Sequence, residues 1–155
     1  MRFLACLLLI ALSARAAAAE AEFVRVWPGW RAAETFERIS EYFGGSEASA
    51  REPILRTQPA TRDGYYFLVR VKTATALPGA KFALSVIRPD HPEAKVFTFP
   101  AALPGKETAL HLGLTGADWP GGAAASPLAW KVALVAADGR TLAEHKSFLW
   151  EKPAK

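Results

Sequence analysis

Apolar and polar residues alternate strictly over much of the chain from residue 64 onward. The pattern is clearest over residues 64–72, and it recurs over residues 82–87, 95–99, 109–114 and 129–136. Successive side chains of a β-strand point to opposite faces, so this period of two predicts strands with one face in a core and one in water. The residues expected to face the core are Tyr65, Phe67, Val69, Val71, Phe82, Leu84, Val86, Leu110, Leu112, Leu114, Trp130, Val132, Leu134 and Ala136.

Turn-forming residues separate these segments at intervals of roughly 10–14 residues. Pro78-Gly79, the segment 89–92 and Pro104-Gly105 each interrupt the alternation, and Pro100 closes the strand expected over 95–99. Asp138-Gly139 separates the last two series, which predicts a hairpin whose second strand extends over 141–150. Seven or eight short strands with this spacing are typical of an antiparallel β-sandwich or small barrel, and a wet face on each strand argues against a parallel sheet.

The region before residue 64 has a different pattern. Residues 22–27 alternate and predict a first strand, which Pro28-Gly29 should end. The period then changes to that of a helix over residues 30–43, and Gly44-Gly45 supplies a C-terminal stop. The apolar face of this expected amphipathic helix consists of Ala32, Phe36, Ile39 and Phe43. We expect the helix to pack on the sandwich, followed by a polar loop over 46–62 with a short edge strand at 54–56.

The first 19 residues have the properties of a cleavable signal peptide. Met1-Arg2 is a minimal positive region, residues 3–12 form an unbroken apolar run, and Ala17 and Ala19 place small residues at a cleavage site. A membrane-spanning helix needs about 20 apolar residues, roughly twice the length of this run. The sequence therefore predicts export to the periplasm or the exterior, with cleavage near Ala19 and no membrane insertion afterwards.

Composition limits the classes of function that fit the exported part. Cys6 is the only cysteine and lies inside the leader, so we expect no disulfide, thiolate metal site or cysteine nucleophile after cleavage. Arg2 and Arg15 also leave with the leader, which lowers the formal net charge from +4 to +2. The remaining charges alternate in sign without a basic cluster, which disfavours nucleic acid as a partner.

These patterns divide the chain into a signal peptide (1–19), a strand, helix and loop (20–52), one sandwich domain (53–152) and a short tail (153–155). The strand count, the spacing and the final hairpin, with its segments 129–134 and 148–150 around Asp138-Gly139, resemble an immunoglobulin-like or fibronectin type III-like β-sandwich. The resemblance covers about residues 53–150 and lacks both bridging cysteines of antibody domains. It implies a fold and no particular function, because such sandwiches carry many functions.

No pattern of catalytic, cofactor-binding or metal-ligating residues stands out. His91, His111 and His145 share no ligand spacing, and the two on strands are expected to face solvent opposite the apolar residues. No serine lies in a Gly-x-Ser-x-Gly turn, and no glycine-rich phosphate loop or calcium loop is present in the sequence. We therefore expect a non-enzymatic protein without cofactor or metal.

Tryptophans are the most distinctive feature, with five in the chain. Trp119 lies in a long loop (116–127) beside Asp118, and Trp27 and Trp30 bracket the Pro28-Gly29 pair. An indole supplies a large rigid contact area with one hydrogen-bond donor, so these four residues are the candidate contacts for a ligand or partner.

Three functions remain open from the sequence. The leading one is an envelope accessory module that binds a protein partner through the loop aromatics. The first alternative is a carbohydrate-binding module, which would need solvent-exposed, coplanar indoles from Trp119, Trp27 and Trp30 on one surface for an envelope glycan. The second is an exported hydrolase, which would need a concave pocket holding a histidine beside a carboxylate or a serine.

Overall fold

The computed structural model describes residues 19–37 and 52–151, and these form a mainly β structure. The expected leader up to residue 18, residues 38–43 of the expected helix and the tail lie outside the described residues. The strands are, in chain order, β1 (Ala21–Arg31), β2 (Ile54–Arg56), β3 (Gly64–Thr73), β4 (Lys81–Arg88), β5 (His91–Pro100), β6 (Glu107–Thr115), β7 (Ala129–Val135) and β8 (Thr141–Lys146). One helical turn, α1 (Phe148–Glu151), follows β8.

The eight strands form two four-stranded sheets. Sheet I has the order β1-β3-β6-β2 and sheet II has the order β5-β4-β7-β8. Every pairing is antiparallel except that of β2 with β6, which is parallel and differs from the purely antiparallel sheets expected. The predicted edge strand at 54–56 and the predicted turn at Asp138-Gly139 are both confirmed.

The two sheets pack face to face around one core, an arrangement compatible with the expected sandwich. Phe67 of sheet I meets Trp130 of sheet II edge to face, with ring centroids 5.4 Å apart. Thirteen of the fourteen residues expected to face the core are buried, which confirms the period-two interpretation of β3, β4, β6 and β7. The exception is Ala136, which lies just beyond the end of β7 and is half-buried. Alternation worked here because each of these strands has a neighbour on both sides and one face on the core.

The N-terminal region differs most from the prediction. Pro28-Gly29 does not end the first strand, because β1 continues to Arg31 along its partner β3. Proline is tolerated in this edge strand, where its missing amide costs no ladder hydrogen bond if it faces away from the partner. An N-terminal helix starting at Trp30 is therefore wrong for the described part: a single 3-10 turn, Ala33–Phe36, follows β1, and residues 38–43 lie outside the described residues.

Two other strand boundaries differ from those predicted from the sequence. β5 begins at His91, so the prolines at 89 and 92 flank a tight hairpin rather than a long break before residue 95. β8 ends at Lys146, where the sequence predicted a strand to residue 150. The last residues instead form α1, and the Lys131 ammonium lies 5.7 Å from the centroid of the Trp150 ring.

Tyr66 lies on the outer face of sheet I, which the alternation assigned to solvent, yet it is buried. Tyr66 is covered by Phe36, with ring centroids 4.5 Å apart, and its hydroxyl donates a hydrogen bond to the Arg62 carbonyl. Gly113 provides the space, since a Cβ there would lie 2.4 Å from a Tyr66 ring carbon.

Within the described residues, no helix is long and apolar enough to cross a bilayer.

Candidate functional site

A concave feature lies where one edge strand of sheet I, β2, approaches one edge strand of sheet II, β5. We call it the seam groove. Its main cavity has a volume of about 560 Å³ and separates β2 from β5. The residues that line it are Pro53, Ile54, Leu55, Arg56, Pro59, Thr98, Phe99 and Pro100.

A smaller cavity continues the seam groove toward the loop after β5. It has a volume of about 170 Å³ and shares Pro53, Leu55 and Pro100 with the main cavity. Ala101, Ala102 and Leu103 of the loop after β5, and Thr108 and Leu110 of β6, also line it. Apolar side chains with a few polar groups are the usual lining of a binding site, which makes this groove the candidate functional site.

The β5 strand presents unpaired backbone groups at the groove. Ala101 donates its amide to the Ala80 carbonyl at 3.0 Å, in the same register that pairs β5 with β4. Hydrogen-bonded and open positions alternate along an antiparallel strand, so Phe97 and Phe99 bond to β4. The amides and carbonyls of Val96 and Thr98 consequently point away from β4, toward the open edge of sheet II.

The β2 strand presents a shorter open edge from the other side. His111 donates its amide to the Pro53 carbonyl at 2.9 Å, and the Thr57 amide donates to the Gly113 carbonyl at 3.0 Å. This parallel ladder turns the backbone groups of residues 53, 55 and 57 toward β6. Those of Ile54 and Arg56 therefore point to the open edge. In the described part of the chain no strand pairs with the outer side of β2 or of β5, so the seam groove lies between two sheet edges.

Asp118 holds one end of the seam together. Its carboxylate accepts hydrogen bonds from Lys95 Nζ of β5 at 2.9 Å and from Gln58 Nε2, just after β2, at 3.1 Å. Burial alone would raise the pKa of Asp118, but hydrogen bonds from Lys95, Gln58 and Thr57 and the charge of Lys95 outweigh it and lower this pKa below its usual value. We call this arrangement the Asp118 clamp, because it ties both edge strands to the loop after β6.

Trp119 lies inside the protein, although the sequence placed it in a loop as the leading contact. It is 4% exposed, its ring lies 4.6 Å from that of Tyr65, and its Nε1 donates a hydrogen bond to the Gly122 carbonyl at 3.0 Å. Burial also raises the pKa of the Tyr65 hydroxyl. Trp119 therefore closes one end of the core, and its indole has no open face for a ligand.

Trp27 and Trp30 lie on opposite faces of β1, because they are three positions apart on a strand whose side chains alternate in direction. Trp30 is opposite Tyr65 in the register and packs against the core. Trp27 faces outward between two guanidinium groups, with Arg25 Cζ at 4.5 Å and Arg70 Cζ at 5.7 Å from its ring centroid. The three indoles therefore share no surface, and the coplanar platform needed for a carbohydrate site does not form.

The histidines occupy separate places. His91 is exposed, whereas His111 lies against Phe36 and has Nε2 3.3 Å from a carboxylate oxygen of Glu52. His145 stacks on Trp130 with ring centroids 5.7 Å apart, so the expected solvent-facing position is wrong for it. Neither cavity of the seam groove is lined by a histidine, and the described residues contain no cluster of three or more side chains that could hold a metal.

Sequence reasoning identified Asp118 but missed the groove itself. Single strands were predicted correctly at 54–56 and 95–99, yet nothing in a period of two shows that these two strands become neighbouring edges of different sheets. The available signal was the set of prolines around them, at residues 53, 59, 92 and 100, because proline concentrates at sheet edges.

Comparison with known proteins adds no assignment. No protein-family model matches the chain, and no curated protein matches it either.

Proposed function

We propose that this protein is an exported, non-enzymatic binding module that recognises a segment of a protein partner in the seam groove. The observation that carries the proposal is the groove itself: an apolar cleft between two strands, β2 and β5, each of which is the edge of its sheet among the described residues. Of the three tryptophans expected to contact a partner, Trp119 is buried, Trp30 packs on the core and Trp27 is held between arginines, so the groove replaces them as the contact surface.

The strand order supports the immunoglobulin-like or fibronectin type III-like assignment, which we include in the proposal. In that scheme β1, β3 and β6 would take the places of strands A, B and E, and β4, β7 and β8 those of C, F and G. β5 would be an added C′ strand beside C. β2 would occupy the place next to E from an unusual position in the chain, between A and B.

Export is the second element of the proposal, and its support is the leader pattern. The test is to express the full chain in a Gram-negative host, isolate the protein from the periplasm and the medium, and sequence its N-terminus. A start at or within a few residues of Glu20 is expected. Recovery only from the cytoplasm with residue 1 intact would contradict export.

The binding test uses the exported protein and a displayed library of random linear 12-residue peptides. Selected peptides are then titrated into ¹⁵N-labelled protein, and the shifted amide signals are mapped. We expect the largest shifts in residues 53–59 and 96–103. Shifts centred on the outer face around Trp27 would move the site elsewhere, and the absence of any selected peptide would contradict recognition of a peptide segment.

Testing the same protein on a glycan array distinguishes a peptide-binding module from a carbohydrate-binding module. We expect no retained glycan, because no described indole pair forms a flat exposed platform. A retained glycan whose binding is lost in Trp27→Ala and kept in Leu55→Ala would favour the carbohydrate module instead.

A further inference from the structure

We infer that the partner segment binds as an added β-strand along the open edge of β5, with apolar side chains at alternate positions filling the seam groove and acidic residues beside them. This inference rests on the proposed function and specifies the ligand's conformation and chemistry. Strand addition of this kind takes its affinity from main-chain hydrogen bonds and its selectivity from pockets for every second side chain.

The backbone of β5 sets the hydrogen-bond pattern. Val96 and Thr98 each offer an amide and a carbonyl to the open edge, and Pro100 adds a carbonyl but has no amide. An added strand that runs antiparallel to β5, as β4 does on the other side, therefore bonds through its residues opposite 96 and 98. β5 is also ten residues long, whereas β2 has three, so the β5 edge offers the longer template.

The same geometry decides which side chains of the ligand enter the groove. Phe97 and Phe99 point into the core, and directly opposite residues of neighbouring strands point to the same face. Ligand residues opposite Phe97 and Phe99 therefore face the groove. Those opposite Val96 and Thr98 face outward, as Val96 does with 59% of its surface exposed.

The two cavities fit apolar side chains at alternating positions. The main cavity meets the ligand between Leu55 and Phe99, and the smaller one lies farther along toward Leu103. Because the two cavities share Pro53, Leu55 and Pro100, they are adjacent to each other along the seam groove. A strand places its same-face side chains roughly 7 Å apart, which suits one apolar residue in each cavity.

Charge complementarity indicates that the ligand is acidic rather than basic. Arg56 lines the main cavity, but its Nε donates to the Tyr66 hydroxyl at 2.6 Å and its guanidinium lies 5.0 Å from the Phe36 ring centroid, so the charge argument rests on two lysines near the groove. Lys81 is opposite Pro100 in the register, and Lys106 follows the loop that walls the smaller cavity; both are exposed. The two carboxylates adjacent in sequence to lining residues are Glu52, which is directed to His111, and Glu107, which is 3.5 Å from Arg70 Nε. The occupant is therefore an extended segment with apolar residues at i and i+2 and at least one carboxylate nearby.

The inference can be tested by blocking single backbone amides of the peptides that were selected on the exported protein. Single N-methyl groups are placed at each position, and the dissociation constants are measured by fluorescence anisotropy. Methylation at the apolar positions is expected to change binding by about twofold or less, since those amides point away from β5. Methylation at the positions between them should weaken binding by about tenfold or more, because each loses a ladder hydrogen bond. Equal effects at all positions would overturn strand addition.

Proline substitutions in the protein identify the edge. Thr98→Pro removes an outward amide and keeps the β4 ladder, and it should weaken binding by about tenfold or more, whereas Thr98→Ala keeps the amide and should cost about twofold. Lys146→Pro is the matched control, because Ser147 donates its amide to the Trp130 carbonyl and the Lys146 amide therefore points to the open edge of β8. It should leave binding unchanged.

The outcomes separate this inference from the proposed function. If Ile54→Pro weakens binding and Thr98→Pro does not, the strand adds to β2 and the β5 assignment is wrong. Tight binding that neither proline affects would overturn strand addition and leave a peptide-binding module standing. Selection of basic or uncharged peptides whose affinity is independent of salt would overturn the acidic character. The absence of any selected peptide would overturn both proposals.

Discussion

The two long seams of the structure are closed in different ways. On the β1/β8 side, aromatic side chains fill the space between the sheets: Phe23 lies 6.2 Å from Phe82 and 6.4 Å from His145, and His145 stacks on Trp130. On the β2/β5 side, the edge strands stand apart around the seam groove, and a polar clamp at Asp118 holds one end. The comparison shows that this protein seals one seam with apolar packing and leaves the other accessible.

The reason lies in which residues the edge strands direct inward. β1 and β8 contribute Phe23 and His145 to the interior, and these rings bridge the sheets. β2 is three residues long and contributes one inward residue, Leu55, while the prolines at 53 and 59 end the strand on both sides. A short strand bounded by prolines cannot extend its ladder, so the space beside it stays open.

The largest expected effect comes from breaking the closed seam. Trp130→Ala removes a buried indole that contacts both Phe67 and His145 and should lower the free energy of unfolding by about 3–5 kcal/mol. Leu55→Ala is the matched change at the open seam. It should cost about 1 kcal/mol, because the side chain already borders a cavity and has fewer neighbours to lose. Urea unfolding followed by circular dichroism measures both, and equal losses would contradict the difference between the seams.

A smaller effect is expected from two threonines of β6 that differ in hydrogen bonding. The Thr115 hydroxyl accepts from the Gln58 amide and donates to the Gln58 carbonyl, both at 2.9 Å. Thr115→Val should therefore lower the free energy of unfolding by about 2 kcal/mol. The buried Thr108 hydroxyl, beside the smaller cavity, has no hydrogen-bond partner among the described residues. Thr108→Val should be neutral or slightly stabilising in the same assay, and a loss as large as that of Thr115→Val would show that the hydroxyl has a partner.

The Asp118 clamp should contribute least, and its contribution should depend on pH. Asp118→Asn should lower the free energy of unfolding by about 1 kcal/mol at pH 7, where the carboxylate is ionised. Because folding lowers the pKa of Asp118, the stabilisation is complete above the unfolded value of about 3.9 and disappears as pH falls through the lower folded value. The difference between wild type and Asp118→Asn should therefore shrink below about pH 4. A difference that grows in acid would contradict the clamp.

The sequence was informative where a strand has one wet and one dry face. Every residue of β3, β4, β6 and β7 that the alternation assigned to the core is buried, and Asp138-Gly139 correctly predicted the position of the hairpin. It failed for Tyr66, because Phe36 from outside the sheet covers a position that period two assigns to solvent. It also failed for Trp30, because a strand passing through Pro28-Gly29 looks the same as a helix start when only local spacing is read.

The candidate site could be predicted only in pieces. Asp118 was singled out as the neighbour of a loop tryptophan, and the structure gives it a different place, between Lys95 and Gln58. Trp119 looked like a contact because long loops are usually exposed, yet its indole is buried against Tyr65. The seam groove depends on which strands become edges and how the two sheets meet, and this information belongs to tertiary pairing rather than to the period of any one strand.

The central claim is that the β5 edge is open in the free protein. Amide hydrogen exchange followed by ¹⁵N NMR tests it directly and needs no ligand. The account predicts fast exchange for Val96 and Thr98 and protection for Phe97 and Phe99, which alternate with them along the same strand, with protection of Val96 and Thr98 appearing when a selected peptide is added. Protection of all four amides in the free protein would contradict an open edge.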